Sequence, residues 1–182
     1  MKKIAVLFSG KGTNFAYITK HLHNKKLKIA VALTNNPNAD GIAIAKENNI
    51  PLEIVDSKAY VNREEFDTIV VDRLKHYSVD LTVLAGFMRI LTPIFTDSIK
   101  SINLHPSLLP RHKGLHAIER SYEDEFSSGG VTVHFVTSKL DDGEIIEQES
   151  IKKDNLTLTE YSNKIYILEK EVLSKAILKV LK

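Results

Sequence analysis

The sequence predicts an α/β protein with a mainly parallel central sheet, helices on both faces and an antiparallel strand pair towards the C-terminus. Short apolar runs alternate with segments of helical period through the first half. The intervening stretches have the length of helical crossovers, which join parallel strands with right-handed turns. Later, an alternating strand is followed by a second one across the turn Leu140-Asp141-Asp142-Gly143, an arrangement that favours antiparallel pairing.

Taken in order, Ile4 to Phe8 is a short apolar run ended by Ser9-Gly10 and reads as a buried strand. Asn14 to Asn24 places Phe15, Ile18, Thr19 and Leu22 at helical spacing. Leu27 to Leu33 is a strand stopped by the turn cluster Thr34-Asn35-Asn36-Pro37-Asn38. A helix over Ala39 to Asn48 and a strand over Pro51 to Val55 follow. Arg63 to His76 carries Phe66, Ile69, Val70, Val71 and Leu74 as a helix face, and Leu81 to Ala85 is the next strand. Pro93 to Ile99 is a short helix and Ile102 to His105 a short strand. A helix near Ala117–Phe126 precedes the strands Val131 to Phe135 and Glu144 to Ile151. Leu158 to Leu181 closes the chain as a helix with Ile165, Leu168, Val172, Ile177 and Leu181 apolar.

The 182 residues fit a single domain over 1–182, since a domain usually takes about 100–200. Hydrophobic residues at 43% and charged residues at 26% match globular averages and exclude disordered, collagenous and membrane classes. Lys+Arg 25 against Asp+Glu 23 leaves +2, which gives no clustered basic footprint for nucleic acid. The absence of cysteine excludes a disulfide scaffold, a cysteine nucleophile and a cysteine zinc site. Ile4 to Ser9 is too short for a signal core or a membrane span. A soluble, cytoplasmic protein acting on small molecules is expected, as a monomer or weak homodimer.

Ser9-Gly10-Lys11-Gly12-Thr13-Asn14 lies between the first strand and the first helix. Two glycines permit close backbone approach, and N–H groups at a helix start bind anions. A tight turn with a helix cap is the alternative. The Walker pattern fails because Ala5 and Gly12 stand where glycine and Ser/Thr are needed. A dinucleotide fingerprint fails because Phe15 replaces its third glycine, and Leu33-Thr34-Asn35-Asn36 lacks the ribose-binding acid. A monophosphate fits better.

Asn103 and His105 lie two apart at the carboxyl end of a strand, where open α/β sheets bind ligands. An amide donor beside an imidazole suits acyl chemistry, holding a developing oxyanion and moving or donating a proton. A carboxylate at Asp141 could orient His105 and raise its pKa. Equally, Asp141 and Asp142 could serve only the hairpin turn. His105, His112, His116 and His134 match no zinc spacing, so no metal is expected.

These motifs together resemble the phosphoribosylglycinamide formyltransferase family over nearly the whole chain. Residues 9–14 are similar to its S-G-x-G-[ST]-N phosphate loop, and Leu84 to Leu91 to its folate-pocket segment. Asn103 to Pro110 matches N-[IL]-H-P-S-L-L-P, while Val133 to Thr137 with Leu140-Asp141 resembles the loop carrying the catalytic aspartate. The resemblance implies a Rossmann-like formyltransferase fold and formyl transfer from 10-formyltetrahydrofolate, as co-substrate, to the amine of 5-phosphoribosylglycinamide in purine synthesis. It makes Asn103, His105 and Asp141 the catalytic trio. Gly12, Thr13 and Asn14 would hold the substrate phosphate, with Tyr166 and Glu169 on the ribosyl side. Met88, Arg89, Ile90 and Leu91, with Asn103, Thr137, Ser138, Lys139, Leu140 and Asp141, would enclose the folate, and Arg63 would approach its outer portion. The chain departs from the family at Asp142, usually glycine, at Lys113, often proline, and at Tyr166, often glutamine.

Overall fold

The computed structural model describes residues 1–182 and divides into two compact units, Met1–Ile102 and Asn103–Val180. In the first unit the strands are β1 (Lys3–Phe8), β2 (Lys28–Thr34), β3 (Leu52–Ile54) and β4 (Leu81–Leu84), in the order β3-β2-β1-β4. All three pairings are parallel. Ile4 to Phe8 are fully buried, as a central parallel strand covered on both faces requires. The helices are α1 (Thr13–His21), α2 (Gly41–Glu47), α3 (Arg63–His76) and α4 (Pro93–Thr96).

The period of α3 explains its packing, because Phe66, Val70, Val71 and Leu74 form one buried stripe. Asn62 caps it by accepting from Glu65 N at 2.8 Å, and Glu64 and Glu65 favour its positive end. Helix α1 stops at His21, short of the expected Asn24, because Asn24 turns into the left-handed region (φ 55°) and accepts no further helical turn. A 3₁₀ turn at Ser57–Ala59, absent from the sequence reading, is set by Asp56 accepting from Lys58 N at 3.0 Å.

Strand β5 (Ser101–His105) runs from the first unit into the second, where β6 (Ser128–Phe135) lies between β5 and β7 (Ile145–Lys152). Strands β6 and β7 pair antiparallel, as the alternating pattern predicts. Helix α5 (Ala117–Glu123) precedes β6, and α6 (Leu158–Val180) packs Tyr161, Ile165, Leu168, Val172, Leu173, Ala176 and Ile177 as its buried face. The fold is therefore α/β, mainly parallel, with an antiparallel C-terminal pair.

Candidate active site

In the second unit, β5 carries Asn103 and His105 two residues apart, so the pleat turns both towards the same side. Asp141 sits in the turn between β6 and β7, and its Oδ2 is 3.4 Å from His105 Nδ1. His134 on β6 completes the group. Its Nε2 lies 3.4 Å from Asn103 Nδ2 and 3.6 Å from Asp141 Oδ1, while its Nδ1 is 2.8 Å from the Phe135 carbonyl. His105, His134 and Asp141 are all buried. The three expected catalytic residues are thus brought together, with His134 as a fourth member to which the sequence reading gave no role. The alternation Thr132-Val133-His134 on a strand was the available signal, since it puts both polar side chains on one face.

The segment between His105 and α5 wraps this group. Thr132 Oγ1 donates to the Ser107 carbonyl at 2.7 Å and accepts from Leu109 N at 3.1 Å, which anchors the segment to β6. Further on, the His112 carbonyl accepts from His105 Nε2 at 2.8 Å, and Gly114 N donates to Asp141 Oδ2 at 2.9 Å. The loop so closes on the His105–Asp141 pair from both ends. His112 and His116 both take left-handed backbone angles (φ 56°), as does Asp141 (φ 48°).

The two departures in this region meet each other: Lys113 Nζ donates to Asp142 Oδ1. Position 142 does not need glycine, because its φ is not positive. The position that does is Gly143, where a Cβ would lie 1.6 Å from the Phe135 carbonyl oxygen.

Burial is the largest influence on His105 and lowers its pKa below the usual imidazole value. The His112 carbonyl and the Asp141 charge pull the other way, while His134 and Arg120 add to the lowering. For Asp141, burial acts to raise the pKa. The His134 hydrogen bond, the Gly114 N–H and the imidazole charges of His105 and His134 outweigh it, holding the carboxyl below the usual range. Asp141 is therefore a carboxylate at neutral pH, able to orient and stabilise an imidazolium.

In the first unit, Gly12 takes φ 71° and forms the N-terminal cap position of α1 without a side-chain cap. Its conformation needs glycine doubly, since a Cβ would also approach Gly41 Cα to 3.0 Å. Thr13 is exposed and Asn14 buried at the helix start. Ser9 ties this loop to the expected folate segment. Its N donates to the Gly86 carbonyl at 3.0 Å, and its Oγ donates to Asn35 Oδ1 at 2.5 Å while accepting from Met88 N at 2.8 Å.

Met88 and Ile90 are exposed, Leu91 is buried, and the Arg89 guanidinium lies over the Phe66 ring at 4.9 Å. Arg63 stands exposed at the first position of α3. In the second unit Thr137, Ser138, Lys139 and Leu140 form an exposed stretch leading to Asp141, and Tyr166 and Glu169 lie one turn apart on α6. Nowhere do three His, Asp or Glu side chains gather as metal ligands would.

A formyl transferase family profile matches residues 2–177. The chain belongs to that family. Among its relatives is the phosphoribosylglycinamide formyltransferase of Haemophilus influenzae, 43% identical over 155 residues that span 83% of this chain and 73% of the other. The crystal structure of phosphoribosylglycinamide formyltransferase from Campylobacter jejuni matches with a TM-score of 0.97 at 48% identity, covering 100% of this chain and 98% of that one. The corresponding enzyme structure from Bacillus halodurans gives a TM-score of 0.91 at 34% identity, covering 100% and 96%.

Proposed function

We infer that the chain is a phosphoribosylglycinamide formyltransferase, moving the formyl group of 10-formyltetrahydrofolate onto the amine of 5-phosphoribosylglycinamide in purine biosynthesis. The observation that carries this reading is the half-buried Asn103 beside the buried His105 and Asp141 in a chain similar to such enzymes along its length. The neutral amine attacks the formyl carbon, and the carbonyl electrons move onto oxygen. Asn103 Nδ2 donates to that oxyanion, and the His105 imidazolium, balanced by the Asp141 carboxylate, stabilises its charge. His105 Nε2 is engaged by the His112 carbonyl, so donation to the oxyanion shares that N–H between the two acceptors. Collapse of the intermediate breaks the bond to the folate nitrogen. Asp141 relays the proton lost by the attacking nitrogen to the departing one, giving the formamide and tetrahydrofolate.

Gly12, Thr13 and Asn14 serve the substrate phosphate through the start of α1, and Tyr166 and Glu169 serve its ribosyl portion. Met88 to Leu91 and Thr137 to Asp141 hold the pterin, and Arg63 its outer carboxylates. Residues 1–182 act as one formyltransferase domain on small molecules in the cytoplasm, as a monomer or weak homodimer; a family profile running through both units supports the single domain. No helix is long and apolar enough to cross a membrane.

The test follows the absorbance of deformylated folate with and without phosphoribosylglycinamide. Turnover only with the amine is expected. Turnover without it would make the protein a hydrolase, and silence in both would leave a ligand-binding domain.

A further inference from the structure

Asp124, at the end of α5, is the centre of a part-buried ionic group outside the catalytic trio. Lys153 Nζ donates to its Oδ1 at 2.6 Å and to the carbonyls of Ser121, Tyr122 and Asp124 at 2.8, 3.3 and 2.9 Å. The ammonium thereby satisfies the last carbonyls of α5 and fixes the carboxylate beside them. Phe126 N donates to the same Oδ1 at 3.0 Å, and Arg111 Nη1 lies 3.7 Å from Oδ2. The remaining strong contact of Oδ2 is the His112 ring, whose Nε2 donates at 2.6 Å.

His112 is the residue whose carbonyl meets His105, and it holds a left-handed backbone that a non-glycine residue adopts only when its surroundings compensate. We propose that His112 and Asp124 are positioning residues for His105: Asp124 grips the His112 ring, and the ring so held keeps the His112 carbonyl against His105 Nε2. The proposal rests on His105 being the catalytic histidine. The consequence is chemical. His105 stands between two acceptors, the His112 carbonyl on Nε2 and the Asp141 carboxylate on Nδ1. In either neutral tautomer one ring lone pair faces an acceptor, and only the doubly protonated ring donates to both. The carbonyl therefore supports the imidazolium that the oxyanion needs, against burial and against the charges of His134 on β6 and Arg120 on α5. The His112 ring faces Asp124, whose carboxylate is met in turn by Arg111 and Lys153.

The deciding variant is His112→Asn. Asparagine tolerates positive φ, cannot span to Asp124, and leaves the Asp124–Lys153 pair intact. We expect kcat to fall on the order of tenfold, by analogy with the outer partners that orient metal-bound histidines, whose loss costs about 10–100-fold. KM for phosphoribosylglycinamide should change little. Nitrogen NMR of the His105 ring should show its titration moved to lower pH and the neutral ring shifted to the Nδ1–H tautomer, facing Asp141. Asp124→Asn should move both readouts in the same direction, and the double variant should lose no more than the larger single. In a His105→Ala background, His112→Asn should cost nothing further. An unchanged titration and kcat would overturn the proposal, as would an equal loss in the His105→Ala background. If His105→Ala itself kept the full rate, the assignment of His105 as catalytic would fail instead.

Discussion

His105 Nδ1 and Asp141 Oδ2 face each other at 3.4 Å with both side chains nearly withdrawn from solvent. Burial alone would neutralise both. The pair stays polar because Gly114 N–H and His134 stabilise the carboxylate, while a carbonyl occupies the far nitrogen of the imidazole. The pKa of His105 is lowered on folding, so the unfolded chain binds that proton more tightly. Its contribution to stability is complete above about pH 6.5 and is lost as pH falls from there through the folded value. Asp141 acts in a lower window, with stability present above about pH 3.9 and lost as pH falls through its depressed value. Thermal melts from pH 8 downwards should therefore show the midpoint falling below about pH 6.5. His105→Gln should remove part of that fall, and the rest belongs partly to His23, whose pKa is also lowered. A parallel fall in both proteins would contradict the assignment.

In the mechanism proposed above, Asn103 is the direct donor to the oxyanion. Asn103→Ala should lower kcat by about 10²–10³, the usual scale for one such donor. His134 makes this test sharper, since its Nε2 lies against the Asn103 amide and orients it. Steady-state kinetics with both substrates measure the effect, and a near-normal kcat would reduce Asn103 to a structural residue.

Much of this architecture was legible because it follows from local period. The buried run at Ile4–Phe8 and the apolar stripe of α3 are written directly in residue order. Helix ends were less legible: the stop at His21 depends on Asn24 adopting positive φ, which pattern alone does not reveal. Within the site, Asn103 and His105 could be paired from their spacing, but the choice between Asp141 and Asp142 could not be made. It turns on which carboxylate meets the Gly114 N–H and which meets Lys113, contacts set by loop backbone rather than side-chain order. The role of Asp124 was illegible for the same reason, since its partners His112 and Lys153 are remote in sequence.

The loop before α1 makes a prediction separable from catalysis. Thr13→Ala should raise KM for phosphoribosylglycinamide with a smaller effect on kcat, as expected for binding shared by ground and transition states. Gly12→Ala should be worse, because alanine at φ 71° is strained and its Cβ meets Gly41 at 3.0 Å. Inorganic phosphate should inhibit the parent competitively with this substrate and inhibit Gly12→Ala less. A fall in kcat alone for Thr13→Ala would remove the loop from phosphate binding.

The turn after Asp141 separates two neighbouring positions. Asp142→Gly should change the melting midpoint little, because an exposed ion pair with Lys113 contributes little to stability. Gly143→Ala should be severely destabilising, since the new Cβ would lie 1.6 Å from the Phe135 carbonyl and force the β6–β7 turn apart. Melts of the two variants side by side would decide it, and equal midpoints would show that the turn can relax.

Asp67 and Thr92 set the end of the segment proposed to hold the folate. The Asp67 carboxylate is 1% exposed and accepts from Thr92 N at 2.6 Å and from Thr92 Oγ1 at 2.7 Å. It thus joins α3 to the start of α4 and fixes where the chain stands as it leaves Met88 to Leu91. The neighbouring Phe66, one residue before Asp67, supports the Arg89 guanidinium from the same helix. Asp67→Ala would leave the Thr92 N–H and hydroxyl without their acceptor, a loss of about 1–3 kcal/mol for a buried donor and more where the partner was charged. The midpoint of thermal unfolding should fall accordingly. KM for 10-formyltetrahydrofolate should rise while KM for phosphoribosylglycinamide stays close to that of the parent, because the folate segment loses its anchor and the loop at Gly12 keeps its own. Asp67→Asn retains the shape and one acceptor oxygen, so it should recover part of both losses. A uniform rise in both KM values would show instead that Asp67 supports the whole unit rather than this segment.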